Sequence, residues 1–256
     1  MSETDKLLNH FSHKESVTIH IDGKCDDEGI LRQELTRTVK LNPNVTHQIA
    51  LVSIETSAYF PNVTEKNNKF FYSKNAEEMK TVELMTGAYE VEEYNEAIKA
   101  LIKANGDDES SISIELIPTV ARTQVILENG YKVYFPRSGS WRRILGFKEK
   151  NLTTNGTHIS DRLADLNPIQ KVSIGCNLCG GSIGNKNKLT KGNELFSFPN
   201  SQEFGAPLTL SPAVLRRREL LSKEFDSIRL EFYSNNNEPI TFLGSQITAE
   251  IVIFQV

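Results

Sequence analysis

The sequence predicts an all-β fold, an antiparallel sandwich or barrel, and three observations carry that expectation. Many short stretches alternate apolar and polar residues with the period of two that a half-buried strand requires. Turn signals built on Asn, Pro and Gly punctuate them at short intervals. Only one segment has convincing helical periodicity, so the βαβ alternation that builds parallel sheets is missing.

The first strand is VTIHI at 17–21, with Val17, Ile19 and Ile21 on one side. QELTRTVKL at 33–41 follows and ends at the Asn42-Pro43-Asn44 break. HQIALVSIET at 47–56 is apolar and β-branched, and plain alternation sets Ile49, Leu51, Ser53 and Glu55 against Ala50, Val52 and Ile54. A long tip at 57–69 precedes extended residues at 70–72 and the strand KTVEL at 80–84. The helix is expected at 91–104: Tyr94, Ala97, Ile98, Leu101 and Ile102 form a stripe, acids lead, lysines trail, and Asn105-Gly106 ends it.

Strands then follow one another at 111–117, 123–127 and 131–135. Asn129-Gly130 predicts a tight hairpin between the last two, because its turn needs positive φ. SWRRILGF at 140–147 predicts a short helical turn packing Trp141, Ile144 and Leu145, and 148–170 reads as loop. Later strands are expected at 172–178, 194–199, 206–212, 225–234, 238–242 and 246–256, with a turn at 235–237. In the last strand Ile247, Ala249, Ile251 and Ile253 face one way.

At 256 residues the chain suits one large β domain or two small ones and buries a core without staples. A formal net charge of -4 argues against a surface that coats nucleic acid throughout. No run approaches the roughly 20 apolar residues of a membrane helix. The start, MSETDKLLNHFSHKES, has no apolar signal core, so the expectation is synthesis in a reducing, cytoplasmic compartment. Three cysteines do not make a disulfide framework. The sequons at Asn44, Asn62, Asn151 and Asn155 then read as chance matches. No linker or repeat divides the chain. The expected organisation is a flexible tail at 1–16 and one domain over 17–256.

The stretch most suggestive of chemistry is KVSIGCNLCGGSIGN at 171–185, with Cys176 and Cys179 in a Cys-x-x-Cys pair. On a continuous strand, residues three apart point to opposite faces, so the two thiols would not grip one metal. A structural zinc needs four ligands, and Cys25 and His158 supply no second close pair. A thioredoxin-type dithiol belongs at a helix start in a βαβ unit. The expectation is therefore a buried Cys176, a Cys179 that opens a turn, and no metal. Gly180, Gly181 and Gly184 lack both the P-loop ending and the dinucleotide spacing, and serve a loop.

His10, His13, His20, His47 and His158 have no nucleophile and carboxylate in a triad pattern, and SGS at 138–140 is no nucleophile elbow. Arg142-Arg143 and Arg216-Arg217-Arg218 with Lys223 are basic clusters that fit a solvated edge or a protein interface better than a nucleic-acid surface. The reading assigns no catalytic, cofactor-binding or metal residues, leaves interface residues unknown, and expects neither an enzyme nor a cofactor.

The order of segments carries a resemblance. HQIALVSIETSAYFPNVTEKNNKFFYS is followed by KTVELMTGAYEVEEYNEAIKALI, then YKVYFPRSGSWRRILGF, KVSIGCNLCGGSI and EFDSIRLEFYSNNNEPITFLGSQITAEIVI. This layout resembles the penton (minor capsid) proteins of Polinton/Maverick elements, adintoviruses, virophages and polinton-like viruses over roughly 35–256. The resemblance implies an antiparallel single jelly-roll sandwich over 17–256, with one short helix at about 91–104 and long loops. It further implies a homopentamer at capsid vertices, a double-jelly-roll major capsid protein as partner, and residence in the virion after synthesis in a host cytoplasm, with assembly in the nucleus allowed. The tail before Val17 and the loops at 57–69 and 179–193 are then candidates for contacts with neighbours. Residues 1–30 have no counterpart in the resemblance. The rival readings are a non-viral jelly-roll binding module, lectin-like or TNF-like, and a cupin-like enzyme, for which the metal-binding histidine cluster is missing.

Overall fold

A computed structural model describes residues 16–75, 77–180 and 193–256, and they form antiparallel sheets with a single α-helix among them. The tail at 1–15 and residues 181–192 of the second long loop lie outside the described residues. The chain divides into two compact units, 1–60 with 169–256 and 61–168, where the sequence shows no boundary.

The first unit contains β1 (Ser16–Gly23), β2 (Ile30–Lys40), β3 (His47–Ser57), β11 (Lys171–Cys176), β12 (Cys179–Gly180), β13 (Glu194–Pro199), β14 (Pro207–Leu210), β15 (Arg218–Leu220), β16 (Glu224–Ser234) and β17 (Ile247–Gln255). One sheet runs β1-β17-β3-β15-β12, with β14 also on β3, and the other runs β13-β11-β16-β2. The pairings are nested. First strand meets last (β1 with β17), second meets second-to-last (β2 with β16), and β3 meets β14 and β15, which occupy opposite ends of one lane. At the centre β11 pairs with β13. This is a long hairpin rolled into two sheets, the jelly-roll arrangement.

Alternation explains most of the core between those sheets. Ile19 and Ile21 of β1 and Ile247, Ala249, Ile251 and Ile253 of β17 are all buried, as their period of two demands. β3 departs from it. Ser53 faces Glu250 and Leu51 faces Ile251, so Val52 is an extra residue without a partner. This β-bulge turns the strand over, and Ile54 joins Ile49 and Leu51 in the core, against the plain alternation expected.

The segment expected as a strand at 238–242 carries only a bridge from Tyr233 to Pro239, then a 3-10 turn at Phe242–Gly244. Phe242 and Leu243 hold positive φ there, 50° and 49°. The core fixes them: Phe242 is buried against Phe60 and Phe232, with ring centroids 5.5 and 5.2 Å away.

The second unit contains β4 (Lys69–Lys74), β5 (Lys80–Glu83), α1 (Val91–Ala104), β6 (Ile112–Ile117), β7 (Arg122–Leu127), β8 (Tyr131–Tyr134), β9 (Asn151–Leu152) and β10 (Gly156–Ile159). Its sheets run β5-β4-β8-β9 and β10-β7-β6. The helix has the bounds its periodicity predicts. Glu90 N–H donates to Glu93 Oε2 at 2.9 Å, Glu92 and Glu93 sit in the first turn and Lys103 in the last. Val91, Tyr94, Ile98 and Ile102 are buried beneath it. Trp141, Ile144 and Leu145 are buried around the expected short turn, here a 3-10 helix at Trp141–Arg143.

Two expectations fail in this unit. Asn129 and Gly130 do turn with φ of 53° and 78°, closed by Tyr131 N–H donating to Glu128 O at 3.0 Å. The strands they join are not partners, however. β7 is already flanked by β6 and β10, so β8 pairs with β4 and β9 instead. The stretch 148–170, read as loop, supplies β9 and β10 as short edge strands.

Candidate functional site

In the second unit Arg142, Arg143, Gly146, Phe147, Lys148, Glu149, Arg162, Leu163 and Asp165 line an open cleft of about 470 Å³. Arg142 is ion-paired with Glu149, which neutralises part of its basic character. Among the described residues no three His, Cys, Asp or Glu side chains come together as a metal cluster. The described histidines are dispersed: His20 is exposed on β1, His47 is buried on β3, and His158 Nε2 lies 2.8 Å from Thr154 O; His10 and His13 lie outside the described residues.

The arginine cluster is used within the first unit. The guanidinium of Arg216 lies 5.3 Å from the centroid of Phe196, and that of Arg217 lies 4.6 Å from Phe254. Lys223 Nζ donates to Pro43 O at 2.5 Å. Sequence showed no interleaving of aromatic and basic residues, because these rings come from strands distant in the chain.

The tip at 57–69 is anchored at Asn62. Its Nδ2 donates to Tyr89 O and Leu166 O at 2.9 and 3.0 Å, and its Oδ1 accepts from Tyr89 N–H. Asn62 is buried, which bars glycosylation of that sequon in the folded protein.

The cysteine motif is where the structure corrects the sequence most directly. β11 stops at Cys176, and Asn177 and Leu178 form a turn. β12 begins at Cys179 and pairs with β15. The alternation that would put the thiols on opposite faces is broken by that turn. Cys176 and Cys179 are both buried, 0% and 1% exposed, in one core.

Their side chains are close enough for each to shift the other's ionisation. Cys179 Sγ also lies 3.5 Å from Cys176 O and donates to Asn193 O at 2.9 Å. The neighbouring Cys179 thiol, with burial behind it, pushes the Cys176 thiol well up. The neighbouring Cys176 and the charge of Arg218 draw Cys179 down against its burial. Cys25 stands apart from the pair: burial, then the charge of Asp26, pushes its thiol up to about 12.

The described chain is thus a jelly roll with a second β-rich unit inserted between its third and fourth strands. Among solved structures, the mavirus penton protein is similar at 11% identity and a TM-score of 0.49, covering 94% of this chain and 100% of that one. A chain in the structure of the Sputnik virophage is similar at 12% identity and a TM-score of 0.43, covering 94% and 98%. The jelly roll is defined by the chain's own nested strand pairings. No protein-family model and no curated protein matches the sequence.

Proposed function

We propose that this chain is a penton-type minor capsid protein, a structural subunit of which five copies close a vertex of an icosahedral particle. The observation that supports it is the nested pairing of β1 with β17, β2 with β16, β3 with β14 and β15, and β11 with β13. Jelly rolls of this kind serve in capsids and lectins alike. The penton-like order of the segments favours the capsid role between them.

A closed ring of five needs heterologous contacts, one face of each copy meeting a different face of the next. A double-jelly-roll major capsid protein is the partner at the rim of the ring. The mature location is the virion, after synthesis in a host cytoplasm and with assembly in the nucleus allowed.

Native mass measurement on the full chain, alone and after co-expression with the major capsid protein, tests the reading. A pentamer alone, or fivefold density of this chain at particle vertices, is expected. A trimer would overturn the reading, as would a monomer that stays out of particles in the presence of that partner. Deleting residues 1–15 is expected to leave the thermal melt unchanged and reduce incorporation into particles.

A further inference from the structure

We propose that Cys176 and Cys179 form an oxidisable dithiol, which closes to an intrachain disulfide when the protein meets a peroxide and reopens with a thiol reductant. The inference is independent of the capsid reading.

Geometry carries it. The turn at Asn177-Leu178 makes Cys176 and Cys179 the first and fourth residues of a reversal, whose Cα atoms lie within about 7 Å of each other. That overlaps the separation a disulfide spans, about 4.4–6.8 Å. Cys179 Sγ already lies 3.5 Å from Cys176 O, and the Cys179 thiol is tethered to Asn193 O at 2.9 Å. Cys176 N–H donates to the same carbonyl at 3.0 Å, so a single acceptor holds both residues.

Cys179 is the residue that reacts first. It faces Leu220 across the β12–β15 pair, and Arg218, two residues from Leu220, shares that face of the strand. Among the described residues the Arg218 Nε is buried without a hydrogen-bond partner, and the Arg218 charge favours a thiolate at Cys179. The Cys179 thiolate attacks one peroxide oxygen and the O–O bond breaks. Hydroxide leaves and takes a proton to become water, and Cys179 is then a sulfenic acid. The Cys176 sulfur attacks the Cys179 sulfur, the S–O bond breaks, and the departing hydroxide takes the Cys176 proton. Two thiols and one hydrogen peroxide become one disulfide and two waters. Burial of both sulfurs favours a small oxidant over a bulky disulfide.

The test treats the full chain with hydrogen peroxide, unfolds it, blocks thiols with N-ethylmaleimide and maps peptides by mass. Cys176 and Cys179 should escape the label together, in a peptide lighter by two hydrogens, and regain it after dithiothreitol. Cys25 should stay labelled throughout. Full labelling of both residues after peroxide would overturn the proposal, as would Cys179 ending as sulfinic acid while Cys176 still takes the label. Cys176→Ser removes the resolving thiol, and a dimedone-trapped sulfenic acid at Cys179 is then expected. Should that variant not fold, the mapping of the unaltered chain decides.

Discussion

Phe242 meets Phe232 edge-on, with ring centroids 5.2 Å apart and planes at 85°, from a backbone of positive φ. Burial of the ring offsets the unfavourable conformation, which costs about 1–2 kcal/mol per residue outside glycine. Phe242→Ala loses the ring and keeps the strained φ, and is expected to cost about 3–5 kcal/mol. Leu243 has the same conformation but is exposed. Leu243→Gly should therefore stabilise by roughly 0.5–1 kcal/mol, the relief of strain less the entropy of glycine. Chemical denaturation of the two variants should move the midpoint in opposite directions.

Gly130 and Gly106 share a φ of +78° but differ in surroundings. A Cβ at Gly130 would stand 1.9 Å from Asn75 Oδ1, whereas one at Gly106 meets nothing within 4 Å. Gly106→Ala should cost about 1–2 kcal/mol, the conformational penalty alone. Gly130→Ala should cost more, since Asn75 must also move. Thermal melts of the two variants give the order directly.

Asp108 titrates low, at about 2, because it accepts from Ser111 Oγ at 2.6 Å and from Ser110 Oγ and N–H at 2.7 and 3.0 Å, with Asn129 adding a longer contact. In the unfolded chain an aspartate titrates near ~3.9. A depressed folded pKa means stability fully present above about 4 and lost as pH falls toward about 2. The melting temperature should drop through that window, and Asp108→Asn should make the drop shallower. A residual slope should remain from Asp161, held low by the Lys148 N–H and by Lys150.

Arg217 is expected to act through Phe254 alone. Arg217→Ala should cost about 0.5–1 kcal/mol, the value of an exposed cation–π contact. Arg217→Glu should lose the same contact without changing the strand pairing of β15, seen as an unchanged far-ultraviolet circular dichroism spectrum. A loss of sheet signal would show that the arginine holds β15 in place.

Features that depend on a few neighbouring residues were legible in the chain. The helix at Val91–Ala104 followed from an apolar stripe with acids before and lysines after. β17 followed from strict alternation, and the turn at Asn129-Gly130 from two residues that tolerate positive φ. The jelly roll entered through the order of segments, and nested strand pairings are what define it.

By itself the sequence determined the longer strands, where the helix begins and ends, and the apolar face of regularly alternating stretches such as β17, because propensity and periodicity act over a few residues; the short edge strands at Asn151–Leu152 and Gly156–Ile159 escaped it. Only the tertiary structure decided partners. Competition for hydrogen-bonding edges sent β8 to β4 rather than to β7, and one unpaired residue in β3 turned Ile54 into the core. The same holds for the cysteines: a turn at Asn177-Leu178, set by the pairing of β12 with β15, brought together two thiols that alternation alone would separate. Register, bulges and strand ends depend on which edges remain free, and residues distant in the chain set that choice.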